Sequence, residues 1–475
     1  MRKIFFIVPF IAFVLFTEAQ DINVTNAITF TQLCNTLNTN GPIADLQGRT
    51  LRFQNGGAIT GVGTITNGSI DADYNLSNIF DVDIMLENVT AYNQFFSARW
   101  FGVDEGNADN YIFLQRAIDV CIHQPVPIPL FIPPGIYDYS QPLLIANIIQ
   151  NSPHTFGGCS FHMFGGTASW SSRDITTLNF KGPGDIFALG IQDARGVEVN
   201  NLKIIGQFEP PATPDNIYFH TVSTNYNDVN NTCRDEYTGI VIDPYYSKGP
   251  DGGSIGVKIH DVFVSNFAVD FSISPTTCQN SQMLVFENIQ LGDSKWGFKA
   301  GSGQSKGNVV RGLYSTGRMH TLICLGDHAS PSAAVGFWTF DKGTITNKCI
   351  RLCDIIDPGW YSVKIKDFFC ENIGTIGTIL TEKTYDEPGF NTEAPIYFEG
   401  CNFDFVPRSK ADVQLLANTS DQFVKFESCS FRYFSLDEPY PSPPLYMNYG
   451  SSPATFDNCT FSGTVTQDNQ IFHMY

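Results

Sequence analysis

The chain has 475 residues, 43% of them apolar and 16% charged, with a formal net charge of −19. That is ample for a large core, and length alone suggests two or three domains. The acidic balance excludes the basic footprint that nucleic acid requires and disfavours anionic membrane surfaces. It leaves room for a polyanionic glycan if Lys and Arg gather locally.

Met1–Ala19 reads as a secretory signal. Arg2 and Lys3 supply the positive start, Ile4–Phe16 the apolar stretch, and Thr17-Glu18-Ala19 a small-x-small cleavage site. The apolar run is too short to span a bilayer, and no later stretch is long and apolar enough. A secreted or periplasmic protein, cleaved near Ala19 and without a membrane span, is expected. Residues 20–98 are rich in Thr, Asn, Gly and Ile, with turn signals at Asn55-Gly56-Gly57 and Asn67-Gly68-Ser69. They read as a β-rich segment of short strands, either an early coil or a small lid.

One helix is expected, near 109–122. Leu114, Ala117, Ile118 and Cys121 fall on one helical face, and Asp109 or Asn110 can cap its start. Its expected job is to cover an open sheet end. Leu130–Tyr137 then reads as strand, Pro-Gly turn and strand. Residues 207–255 carry Pro210-Pro211, Tyr245-Tyr246 and Gly252-Gly253 and interrupt the rhythm. They read as an insertion that walls a binding site, with Tyr245 and Tyr246 as contact residues.

The chain closes on a phrase written three times. Phe398-Glu399-Gly400-Cys401-Asn402-Phe403 returns as Phe426-Glu427-Ser428-Cys429-Ser430-Phe431 and as Phe456-Asp457-Asn458-Cys459-Thr460-Phe461, at steps of 28 and 30 residues. Looser copies start at 86, 199, 259, 286, 340 and 365. Apolar and polar residues alternate around a turn-forming third position. A period of this size, built of short strands and polar turns, means an all-β solenoid: a parallel β-helix. The 40 Phe suit ring stacking between coils. Of 12 Cys, Cys401, Cys429 and Cys459 occupy equivalent places in successive coils. Parallel in-register side chains do not converge as a disulfide requires, so free buried thiols are expected there. No Cys/His spacing suits zinc, and no metal is expected.

Phe101-Gly102, the acidic loop Asp104-Glu105-Gly106, the helix segment Leu114–Asp119 and Ile132-Pro133-Pro134-Gly135-Ile136-Tyr137 resemble the opening module of pectate-lyase-like proteins. The family's Gly-Asp-Gly-x-x-Asp-Asp is only partly present. The resemblance implies a right-handed parallel β-helix over 99–475, of the kind found in polysaccharide lyases, polygalacturonase-type glycoside hydrolases and tailspikes. In polygalacturonase-type hydrolases, Gly-Asp-Asp, Gly-His-Gly and Arg-Ile-Lys mark successive coils. Gly292-Asp293-Ser294 resembles the first, with Ser in place of the second Asp. Gly317-Arg318-Met319-His320 resembles the second without its flanking glycines. Ile350-Arg351-Leu352-Cys353 resembles the third, with Cys in place of Lys. Asp270 falls near the family's Asn-Thr-Asp coil, displaced.

Alternation by itself puts Trp296/Phe298, Leu322/Cys324 and Ile350/Leu352 inward, and Asp293, His320 and Arg351 on the outer face of neighbouring coils. The expected function is to bind and depolymerise a polysaccharide. Hydrolysis would use Asp270 and Asp293 as the carboxylate pair. β-Elimination would use His320 or Lys299 as base, with Arg318, Arg351 or a bound calcium neutralising a uronate. No other cofactor is expected. A non-catalytic glycan-binding or cell-surface structural β-helix has the same outline, and a tailspike fits the fold better than it fits the export signal. Sugar, linkage and oligomeric state are not encoded in these motifs.

Overall fold

A computed structural model describes residues 21–148, 156–167, 175–209, 237–245, 253–273, 281–300, 307–326, 337–346, 349–356, 362–380, 395–405, 414–418, 423–433, 446–447 and 454–463. The signal segment lies outside them. The chain coils into a solenoid in which like strands of successive turns pair in parallel. One wall is a 17-stranded sheet and the other a 10-stranded sheet. We call these the long and the short sheet.

The repeated phrase forms a corner of the long sheet. Its third residue adopts the left-handed conformation in every close copy: Asn88, Asn201, Asp261, Asn288, Lys342, Asp367, Ser428 and Asn458, with Gly400 doing the same. Asn, Asp and Gly tolerate that conformation best. The flanking residues then alternate, so Phe398, Cys401 and Phe403 enter the core while Glu399 faces out. Phe398 stacks on Phe426 at 4.8 Å and Phe426 on Phe456 at 5.0 Å. Those distances match the strand spacing of a sheet. Cys401, Cys429 and Cys459 are free thiols; the first two are buried, but Cys459, expected buried as well, is only half-buried. Each donates to a carbonyl of the preceding coil: Cys401 to Ile365 and Cys429 to Phe398 at 3.4 Å, Cys459 to Phe426 at 3.5 Å.

Residues 22–91 form a smaller stack of the same kind. Gly63–Asp71 pairs in parallel with Ile43–Asp45, Thr50–Phe53 and Ile84–Ala91. A second helix, Phe30–Leu37, sits in its first coil and buries Phe30, Leu33, Cys34 and Leu37. The expectation of a single helix therefore falls short. Its signal was Thr29-Phe30-Thr31-Gln32: Thr29 N–H donates to Gln32 Oε1 at 2.7 Å, and Gln32 N–H to Thr29 Oγ1 at 3.2 Å, a reciprocal cap.

The expected helix runs Tyr111–Ile122 and buries Leu114, Ala117, Ile118 and Cys121. The helix and the residues just after it close two sheet edges with side-chain amides. Gln115 exchanges hydrogen bonds with Leu144 at 2.8 and 2.9 Å, on the first strand of the short sheet. Gln124 accepts from Val89 N–H at 2.9 Å and donates to Leu86 O at 3.0 Å, on the last strand of the smaller stack. Each glutamine thus supplies the donor and acceptor that a neighbouring strand would.

Within 207–255, Thr238–Ile242 is a regular strand pairing with the coils on either side. That part is solenoid rather than insertion. Residues 210–236 and 246–252, with Tyr246, lie outside the described set.

Candidate functional site

The short sheet brings the anticipated residues to neighbouring coils. Its strands Thr238–Ile242, Val269–Ile273, Ser294–Ala300, Met319–Leu325 and Cys349–Ile356 lie side by side in that order. Their side chains do not simply alternate. Phe271, Phe298, Leu322, Ile323, Leu352 and Cys353 all belong to the main core. Val269, Trp296 and Cys324 form a separate cluster apart from it. The pattern along each strand is therefore out, in, in, out, in. Two consecutive residues facing one side require a local bend in the strand.

Two outward rows result. The first is Thr238, Val269, Trp296, Thr321 and Arg351 in register. The second is Val241, Ser272, Lys299, Cys324 and Asp354. Trp296 and Cys324, expected inside, lie on these rows apart from the main core, at 7% and 8% exposure. Asp354, which strict alternation turns inward, lies on them too.

Asp270 goes the other way. It lies between Gly239 and Gly297 on the adjacent strands, in the row that holds Leu322. A Cβ on either glycine would strike core atoms, of Val264 and Phe267 in one case and Leu291 and Leu322 in the other. Asp270 is 0% exposed, and neither carboxyl oxygen has a hydrogen-bond partner. Ser294 Oγ lies beside it without a hydrogen bond of normal geometry. Burial, helped by the nearby Asp293 charge, pushes the Asp270 carboxyl well above its ordinary range. The structure thus separates Asp270 from the groove: as a catalytic residue it would need contact with substrate, and its place is the interior.

Asp293 sits at the turn before Ser294–Ala300, with its side chain 38% exposed. Its Oδ1 accepts from Arg318 N–H at 2.9 Å and lies 3.5 Å from Arg318 Nε. Two ammonium groups lie over the Trp296 ring, with Lys295 Nζ at 3.8 Å and Lys299 Nζ at 4.2 Å from its centre. Lys299 is 3% exposed. His320 Nδ1 lies 2.8 Å from Thr321 Oγ1, which donates to Asp354 Oδ2 at 3.0 Å. Arg351 Nη1 reaches both Asp354 oxygens, at 3.2 and 3.4 Å. Tyr245 sits elsewhere: its N–H donates to Gln192 Oε1 at 3.0 Å, and its ring packs on Phe156 and Phe187. Among the described residues no cluster of three or more His, Cys, Asp or Glu is placed to hold a metal ion. None of their helices is long and apolar enough to cross a membrane.

Sequence reasoning missed Trp296, Thr321 and Asp354 as groove residues. The signal was an Asp three places after Arg351, legible only once the bend in the strand is known.

Stacked coils whose like strands pair in parallel define a parallel β-helix protein. No protein-family profile and no curated protein matches the chain. Among solved structures it is similar to an endo-xylogalacturonan hydrolase from Aspergillus tubingensis, with 13% identity and a TM-score of 0.44, over 76% of this chain and 91% of that one. It is also similar to the catalytic unit of an α-1,3-glucanase from Streptomyces thermodiastaticus, with 12% identity and a TM-score of 0.32, over 76% and 69%. An Acinetobacter phage tailspike shows 11% identity and a TM-score of 0.38, over 78% and 58%. The strand pairing itself carries the fold assignment.

Proposed function

We propose that the protein binds a polysaccharide along the outer rows of the short sheet and cleaves it by β-elimination. The observation that carries this reading is the makeup of those rows. Lysine and arginine side chains gathered around an indole suit a sugar bearing a carboxylate. His320 stands on the adjoining coil as a base, and the Lys295/Lys299 pair with Arg318 and Arg351 supplies the positive charge that elimination beside a uronate requires. The inward turn of Asp270 removes one member of the anticipated carboxylate pair, and the two carboxylates left on the outer face, Asp293 and Asp354, are each engaged by an arginine. Secretion after cleavage near Ala19 belongs to the same reading. Bound calcium is not required by it, since lysine and arginine can neutralise the uronate.

A second reading, a glycan binder without catalysis, is favoured by one observation. Asp293 and Arg351 are both engaged by neighbours of the fold, Arg318 and Asp354. Incubation with a panel of acidic and neutral polysaccharides separates the readings. Elimination yields unsaturated ends that absorb ultraviolet light, and His320→Gln should lower that rate by roughly a hundredfold or more. Saturated products would replace elimination by hydrolysis. Binding without products would leave the binder. Cleavage undiminished in the Asp293→Asn/His320→Gln double variant would place the site elsewhere on the solenoid.

A further inference from the structure

The hydrogen bonds beneath His320 form a directed chain, and the direction fixes a proton. Thr321 is fully buried on the outer row of Met319–Leu325, and Asp354 lies on the next coil. The Thr321 hydroxyl has one proton, and it donates that proton to Asp354 Oδ2 at 3.0 Å. Asp354 is held as the acceptor by Arg351 Nη1, at 3.2 Å from Oδ1 and 3.4 Å from Oδ2. With its proton committed, Thr321 Oγ1 can only accept from a further partner. The partner is His320 Nδ1 at 2.8 Å. Nδ1 must then carry the hydrogen, and in the neutral ring the lone pair resides on Nε2.

We propose that Asp354 and Thr321 are positioning residues that hold His320 in the Nδ1–H tautomer, so that Nε2 is the basic nitrogen. The proposal rests on the reading of His320 as the base of the groove, but its geometry stands apart from any activity. The carboxylate acts at a distance of one hydroxyl. It aligns the ring, stabilises the positive charge that develops when Nε2 takes a proton, and keeps Arg351 in the first outward row. In the elimination, Nε2 takes the proton from the carbon beside the uronate carboxylate, the C–H electron pair becomes the new C=C bond, and the C–O bond to the leaving sugar breaks, its oxygen taking a proton from water; Nδ1–H stays in place throughout.

The test is nitrogen-15 NMR of the full-length protein labelled at histidine. His320 is assigned by the loss of its signals in His320→Gln. The expected result is a neutral His320 with hydrogen on Nδ1. Thr321→Val, matched in volume but without the hydroxyl, should shift His320 toward the Nε2–H form, and Thr321→Ser should restore the wild-type pattern. Asp354→Leu should disturb the tautomer as Thr321→Val does. A wild-type His320 with hydrogen on Nε2 overturns the proposal and needs no variant to be folded. An unchanged spectrum in Thr321→Val overturns it as well. Where a cleaved glycan is in hand, Thr321→Val should lower kcat by roughly 10–100-fold with little change in KM, and Thr321→Ser should recover most of it. If no glycan is cleaved, the function above fails while the tautomer result still decides this inference.

Discussion

The surroundings of Asp270 favour its protonated form, burial outweighing the opposing contact with Ser294. The carboxyl is enclosed by core residues, its oxygens are unpartnered, and burial pushes its pKa upward. In the unfolded chain the same group titrates near about 4. A group whose folded pKa is raised contributes its full stability below the unfolded value and loses it as pH rises through the folded value. Asp270→Asn should remove that loss. Urea midpoints should show the variant close to wild type near pH 4 and more stable than wild type near pH 8. An equal offset at both pH values would mean that Asp270 does not titrate as its surroundings require. Such a carboxyl is an unexplained cost to the fold.

At the scale of the element, the corner explains both the repeat and its exceptions. The third position of each phrase needs a positive φ. Lys342 occupies it at φ 59°, between Gly312 and Asp367 on the adjoining coils. A lysine there bears a steric cost of roughly 1 kcal/mol that Asn largely avoids. Lys342→Asn should raise stability by about 0.5–1 kcal/mol, seen as a later midpoint in denaturant with unchanged slope. A loss of stability would show that the Lys342 side chain contributes more than its backbone conformation costs. The alternation around this corner was legible in the repeat because it is local. The short sheet was not, because its strands bend between Gly297 and Phe298 and between Leu322 and Ile323, where no turn residue announces the change. That is why Trp296 and Cys324 were expected inside and Asp354 was overlooked.

At the scale of the molecule, Gln115 of the helix Tyr111–Ile122 and Gln124 just beyond it join two stacks by closing an edge of each. Coils of a solenoid interact chiefly with their neighbours, so damage at one end stays local. Gln124→Ala leaves Val89 N–H and Leu86 C=O without their buried partner, at a cost of about 1–3 kcal/mol. Hydrogen exchange should quicken at Val89 and along Ile84–Ala91, while amides of the 396–431 coils keep their protection. Uniform loss of protection along the chain would mean that the solenoid unfolds as one unit.

The sequence by itself determined the coil. The left-handed corner residue, the apolar positions beside it and the unpaired thiols each depend on residues a few places apart, repeated until the pattern is unmistakable. The same holds for the face of the helix over Leu114–Cys121, and the start of Phe30–Leu37 is written just as locally in the Thr29/Gln32 cap. Only the tertiary structure decided which short-sheet residues meet in the groove. The chain Arg351–Asp354–Thr321–His320 joins two coils, and Lys299, Trp296 and Cys324 meet across strands 25 or more residues apart. Whether such residues face one another depends on a single bend in each strand, and a shift of one residue there reverses inside and outside.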